Sequence, residues 1–478
     1  MARRLAGVVP TAAAVLFVLA AYAFFGSAGT WEFRRVQWFE TFYASQVEGF
    51  REGQLNLRHE ADPALAKLQN PYLMAQRAGI QYPWDASYYK GKYYLYFSPV
   101  PALLFTWPFC ALGRGYPSDP LTMTFFCMWA FLASIAFAHR AMRHIDGAKH
   151  VPFALWILLI GAGNLIPFSL IEVRVYEIAV GCAMAMSATW AYTLLRLLER
   201  PSWRTAAWMG LFLALTIATR PNLIVLGLIG AAAVLTIGAR RMVVTTAIAL
   251  AVPIFIVGGS YAVYNYQRFD SPFQTGLAYQ LTTKSMLHDV PCSLCSASDF
   301  SRFMNTLMHY IFFPPKFVST FPFADLRAND VDPSTSFPAL PEQVGGIAAV
   351  TPLAMLGSAL ALLLLLAKRV RNPATRATMF ILGGGWIVLL TLSTCTWVVA
   401  RYSLDFAGLL IVGGVIAVEQ GLTFLRESGV AVRPLRIAVI TLAIYSVATG
   451  LLLGFTGRAQ AFRRMNPERF EAIAKALK

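Results

Sequence analysis

Asp85 opens the block Asp85-Ala86-Ser87-Tyr88-Tyr89-Lys90-Gly91-Lys92-Tyr93-Tyr94-Leu95-Tyr96-Phe97-Ser98-Pro99, preceded by Trp84. Six Tyr or Phe fill positions 88–97. A carboxylate at an apolar boundary is costly unless it is paired or does chemistry. If paired, its partners are Lys90 or Lys92. If chemical, it takes a proton from an acceptor hydroxyl or holds that acceptor. The tyrosines also fit a belt at the lipid headgroups. Upstream, Glu40, Tyr43 and Val47 share a face at helical spacing, as do Ala44 and Glu48. That spacing predicts an amphipathic helix lying on a membrane, with Glu40 as a second candidate acid beside Asp85.

Arginines form the other half of the pattern. Arg174 lies between Glu172 and Glu177, Arg220 precedes Pro221-Asn222, and Arg268 sits in Tyr266-Gln267-Arg268-Phe269-Asp270. Arg401-Tyr402 is followed by Asp405, four residues after Arg401. At that spacing Arg401 and Asp405 can pair on one helix face. Alternatively, the arginines converge and bind a phosphate. The candidate substrate-binding set is therefore Tyr88, Tyr89, Lys92, Tyr93, Arg174, Glu177, Arg220, Arg268, Arg401, Tyr402 and Asp405. Carboxylates and arginines around one cavity suit sugar transfer from a lipid-linked phosphate. Arginines would stabilise the departing phosphate, and a carboxylate would activate the acceptor. No G-x-G-x-x-G fingerprint in a strand-turn-helix setting is present.

The elements that must position these groups are membrane helices. Of 478 residues, 57% are hydrophobic and 13% charged, against roughly 25% charged in an ordinary soluble domain. The composition predicts an all-α, polytopic transmembrane bundle forming one domain, 1–478. Apolar runs lie near 8–26, 120–139, 151–171, 175–195, 204–219, 221–238, 242–264, 346–367, 377–397, 402–420 and 435–455, which predicts about 11 spans, within 10–13. Two polar stretches, 28–97 and 266–345, interrupt them. The apolar segment 100–112 is short and proline-flanked, and is expected to be half-inserted or to lie on the surface.

Charge orients the bundle. With 100–112 not crossing, the N-terminus and five short loops carry 17 Lys/Arg against 3 acids on one side. Basic loops stay cytoplasmic, so both long polar stretches face out. The net charge of +16 is then chiefly an orientation signal, and no nucleic acid partner is expected. The basic C-terminal tail (Arg458, Arg463, Arg464, Arg469, Lys475, Lys478) falls outside, against the rule. Cys110, Cys127, Cys182 and Cys395 lie in apolar runs, where a thiol is usually a small hydrophobe. Cys292 and Cys295 form a lone C-x-x-C in the second polar stretch, either a local disulfide or two thiols.

The block Trp84 to Pro101 reads W-D-x-S-Y-Y-x-G-K-Y-Y-L-Y-F-x-P-x-P. With Tyr264-Asn265, Arg268 to Pro272, and Arg401-Tyr402 with Asp405-Phe406, it resembles bacterial members of the GT-C superfamily of membrane glycosyltransferases. That superfamily includes protein O-mannosyltransferases and the lipid A aminoarabinose transferase. The resemblance runs over essentially the whole chain. It implies a polyprenyl-phosphate sugar donor, a glycan, lipid or protein acceptor, and a bacterial inner membrane with the site on its periplasmic face. Some members need a divalent metal such as Mg or Mn, and Asp85 with one glutamate is the set that would hold it. The chain departs from the family at the acidic pair that often follows the first span, having only Glu32 and Glu40 there. A transporter or flippase of a lipid-linked or amphipathic substrate is the alternative from the intramembrane charges, although no internal repeat is evident. A non-catalytic, sugar-stacking membrane protein is a third reading.

Overall fold

The computed structural model describes residues 2–147, 149–238, 240–282, 297–328, 343–394 and 398–477. Cys292, Cys295 and Cys395 lie outside the described residues. The chain is a helical bundle with only short two-stranded sheets among the described residues. The principal helices are α1 (Ala2–Gly26), α2 (Phe42–Arg51), α3 (Asp119–Met142), α4 (Val175–Glu199), α5 (Trp203–Thr219) and α6 (Arg240–Phe269). After the second polar stretch come α7 (Pro352–Leu366), α8 (Pro373–Ser393), α9 (Ala400–Glu427), α10 (Arg433–Thr456), α11 (Ala461–Met465) and α12 (Pro467–Ala476). Seven helices are long and apolar enough to cross a membrane among the described residues. Their starts follow local rules. Ser118, Ser202 and Asn372 each accept a hydrogen bond from a backbone N–H three residues on, capping α3, α5 and α8.

Burial ranks the helices. The apolar windows of α4 and α9 are 89% and 83% buried, whereas that of α6 is 11% buried. So α4 and α9 form the bundle axis, and α6 lies at the periphery with Phe255 and Ile256 outward. Lipid offers no hydrophobic drive between helices, so close packing through small residues holds such bundles. Where α7 crosses α9, a Cβ on Gly357 would land on the Gly414 backbone. Gly357→Val should therefore force α7 and α9 apart, at a cost of about 1–3 kcal/mol. Thermal unfolding in nanodiscs checks this, with Gly383→Ala as the control. A Cβ there meets nothing within 4 Å, and that variant should melt like the parent.

Three features of the polar face are corrections to, or refinements of, the sequence reading. First, α2 is largely buried within the protein. Tyr43, Ala44, Ser45, Gln46, Val47 and Gly49 are all buried, because the rest of the first loop folds over it. Glu40 lies outside α2 altogether, since Thr41 caps it at Ala44 N–H. Second, the aromatic block is a hairpin. β1 (Ser87–Tyr89) pairs antiparallel with β2 (Lys92–Tyr94), across a turn where Lys90 and Gly91 both have positive φ. Third, the short apolar segment forms a helix of ten residues, Ala102–Ala111. Downstream of it the chain returns to the first loop, where Pro117 pairs with Arg35 and Tyr116 with Val36.

The C-terminal tail sits on that same face. Asn466 Nδ2 donates to Ala28 O at 2.9 Å, and Arg464 pairs with Glu172 at 2.6 Å. Phe462, fully buried, packs on Phe24 and Phe455.

Candidate functional site

Asp85 is held by the beginning of the second polar stretch. Its backbone N–H donates to Leu281 O at 3.1 Å, and Leu281 N–H donates to Ala86 O at 2.9 Å. Ser87 bridges to Gln280. Residues 280–282 thus extend the hairpin as a third edge. Asp85 itself has a positive φ of 66°, a conformation costly for a residue other than Gly. Strain of this kind persists where the surroundings over-determine it. The side chain is 5% exposed and accepts hydrogen bonds from Thr282 and Gln280. Thr282 is fixed in turn by buried Arg77, whose guanidinium donates to Thr282 O and stacks on Tyr82. Burial pushes the Asp85 carboxyl above its usual value; the two hydrogen bonds and the charges of Arg401 and Arg174 oppose the shift.

The Lys pairing considered for Asp85 does not form. Lys90 Nζ reaches Asp270 at 2.6 Å, where the Tyr89 hydroxyl also donates at 2.7 Å. Lys92 is exposed. Tyr88 and Tyr93 are buried in the hairpin's own packing. Tyr88, Tyr89, Lys92 and Tyr93 therefore build the scaffold that presents Asp85, and the structure does not aim them at a common cavity with it. Glu40 is exposed and bonded to Arg34. Its expected place beside Asp85 is wrong, because it precedes α2 rather than lying on its inward face.

The arginines divide similarly. Arg401, in the first turn of α9, lies over the rings of Tyr176 and Tyr402, at 4.9 and 5.4 Å. Its Nη1 is 3.8 Å from Glu177 Oε1. Glu177 is fixed at the start of α4 by Arg174 N–H, which donates to its other oxygen at 2.9 Å. Arg220 follows α5 directly and lies 5.0 Å from the centre of the Tyr402 ring. Its Nη2 and Nε donate to Asp405 Oδ2 at 2.5 and 3.2 Å, and Asn222 Nδ2 adds a third donor at 3.1 Å. The pairing of Arg401 with Asp405 along one helix is thus replaced by two pairs between helices. Asp405 positions Arg220, and Glu177 stands by Arg401. Arg174 pairs with Glu172 at 2.5 Å and is half exposed.

Arg268 belongs elsewhere. It lies 3.9 Å from the Tyr264 ring centre and donates to Leu95 O at 2.6 Å and Asn265 Oδ1 at 2.7 Å. It pins the strand leaving the hairpin and does not join the other arginines.

Sequence reasoning did not single out Tyr96. Tyr96 is within electrostatic reach of Asp85, Tyr402, Arg401 and Arg220 together. It stacks on Phe97, with ring centres 4.2 Å apart, and Phe97 meets Tyr176 edge-on. Its only signal in the sequence was its place three residues before Pro99 at the end of the aromatic block. Asn222 was legible only as the residue after Pro221.

A divalent metal does not fit this arrangement. Asp85 faces arginines, and among the described residues no three His, Cys, Asp or Glu side chains gather to hold an ion. No step below is routed through one.

The fold and site define a multi-pass helical membrane protein with a charged, aromatic-lined site at one face of its bundle. The chain matches no protein-family model and no curated protein.

Proposed function

We propose that this protein is a GT-C-type glycosyltransferase, moving a sugar from a polyprenyl-phosphate donor to an acceptor hydroxyl at the outer face of the membrane. The observation that supports the reading is that Asp85, Arg401 and Arg220 all lie within electrostatic reach of Tyr96, with sequence neighbours of Tyr96 and Arg220 lining an apolar groove. The groove has a volume of about 550 Å³ and is lined by Phe50, Val100, Leu103, Leu215, Ile256 and Tyr261, among others. Ser98 and Ala218, two residues from Tyr96 and Arg220, also line it. A lipid tail in the groove would bring its phosphate to the arginines.

Asp85 then takes the acceptor's hydroxyl proton as that oxygen bonds the anomeric carbon. The bond from that carbon to the phosphate oxygen breaks, and the lipid phosphate leaves with the electron pair. Arg401 and Arg220 stabilise its growing charge. Tyr176 and Tyr402 hold the guanidinium planes in place.

The same reading takes eleven crossings: the seven long helices together with 153–171, 203–219, 221–235 and 352–366. Basic loops are inside, and the hairpin faces the periplasm of a bacterial inner membrane.

The test uses undecaprenyl phosphate as probe and the full chain in phosphatidylcholine nanodiscs. Arg401→Ala should weaken its apparent affinity about tenfold or more, as expected for a lost charge-assisted contact of about 1.5–3 kcal/mol. Equal affinity in variant and parent, with only protein yield reduced, would remove the phosphate role.

A further inference from the structure

One helix of the second polar stretch has a large apolar face that the protein leaves open. It runs over Ala297–Phe312 and packs against α8 and the short helix Ile347–Val350. Thr306, Tyr310 and Ile311 are buried. Phe300, Met308 and Phe312 are 59%, 40% and 57% exposed. With Met304 they recur every four residues, so each step turns by only about 40° and the row stays on one side. Ser301, Asn305 and His309 form a second row of the same spacing, turned about 100° from the first. Between Phe300 and Phe312 there is no acid, and Arg302 is the only Lys or Arg.

A helix divided into buried, open apolar and polar faces suits a lipid boundary. The protein takes one face, acyl chains the second and water the third. In water, a row of large apolar side chains left open in this way would only be a cost.

The open row continues the outward surface of helices that cross the membrane. Tyr310 meets Phe406 of α9 edge-on, with ring centres 5.6 Å apart, and its hydroxyl accepts from Val399 N–H at 3.4 Å. Leu390, in the last turn of α8, is 43% exposed. Five residues past the helix, Phe317 is exposed, and its ring centre lies 6.3 Å from that of Tyr445, near the middle of α10. The segments α8, α9 and α10 are three of the seven long and apolar enough to cross. Apolar side chains thus stay open from the flank of α10 to the end of α8, with the helix between Val399 and α8.

We infer that helix Ala297–Phe312 lies in one leaflet of the membrane, with Phe300, Met308 and Phe312 among lipid acyl chains and Ser301 and Asn305 toward water. This part of the second polar stretch is then a membrane-contacting element and not a free outer loop. Tyr310 ties it to the backbone two residues before Arg401, so the helix also holds the start of α9 close to the lipid headgroups. Lipid contact here follows from the multi-pass architecture and needs no catalytic activity.

The test places p-benzoyl-L-phenylalanine at Phe300, Met308, Phe312 or Asn305, one position at a time, in the full chain reconstituted in phosphatidylcholine vesicles. All four side chains are exposed, so the exchange should not disturb packing. After irradiation, mass spectrometry should find a phosphatidylcholine adduct at Phe300, Met308 and Phe312 at least tenfold more often than at Asn305. Equal yields at the four positions overturn the lipid face. An adduct joining Met308 or Phe312 to a second copy of the chain, in place of lipid, makes the row a subunit interface and also overturns it. Separately, Met308→Asp should lower the melting temperature in the vesicles, because a carboxylate among acyl chains is costly, while Asn305→Asp should leave it unchanged. Parental melting of Met308→Asp overturns immersion of the row. Neither readout uses a donor or an acceptor, so both are independent of the proposed activity.

Discussion

On the proposed reading, Asp85→Asn should lower the rate of sugar transfer by about 10²–10⁴-fold, as expected for loss of a general base, while the protein still reaches the membrane at its normal level. The asparagine keeps the shape and can still meet Thr282 and Gln280. It cannot take a proton. A second signature comes from pH. Burial raises the Asp85 carboxyl, and the base form is lost as pH falls through that raised value. The acid limb of the rate profile should therefore lie above the ordinary aspartate range near about 3.9.

Stability runs in the opposite direction. The unfolded chain ionises Asp85 at its ordinary value and the folded chain at a higher one. Between the two the folded state binds more protons, so stability is fully present below the unfolded value and is lost as pH rises through the folded one. Asn removes that cost, so the variant should melt no lower than the parent at neutral pH. Transfer at the parental rate by Asp85→Asn would place the base elsewhere, and a collapsed melting temperature would make Asp85 structural.

Arg220→Ala produces the largest loss of stability expected at this face. It leaves Asp405 buried with Asn222 as its remaining donor on Oδ2. Removing one partner of a buried pair costs about 3–5 kcal/mol. In a multi-pass protein the useful readout is a lower melting temperature and a shorter half-life on heating, because unfolding is commonly irreversible. The double variant Arg220→Leu with Asp405→Leu removes both charges and should recover most of the melting temperature, since neutral packing replaces a buried pair at little cost. It should not recover sugar transfer, because the guanidinium is gone. Recovery of both would reduce Arg220 to a structural role.

The sequence and the structure diverge in an instructive way. Membrane character was legible in composition. Asp85, Arg220 and Arg401 were legible because a charge at an apolar boundary is hard to explain otherwise. The partners of those charges were not. Arg401 and Asp405 have ideal spacing for a local pair, yet Asp405 bonds Arg220, 185 positions away. Helix spacing reports neighbours along one helix and is blind to a helix that crosses it. Lys90 and Lys92 misled for the same reason, since Asp85 is held by 280–282. Glu40 failed because a face defined by periodicity assumed a helix that Thr41 starts two residues later. Tyr96 was hidden in a run of similar residues, where only position in space separates a scaffold ring from a central one.

The third edge that 280–282 adds to the hairpin has a consequence for biogenesis. The carboxylate emerges early in synthesis, but its hydrogen-bonding partners follow almost two hundred residues later. Until then the contacts that impose the left-handed backbone of Asp85 are missing. A truncated or stalled chain therefore cannot hold the acid in its final form, however well its early helices insert. The Asp85 conformation thus depends on synthesis having passed residue 282.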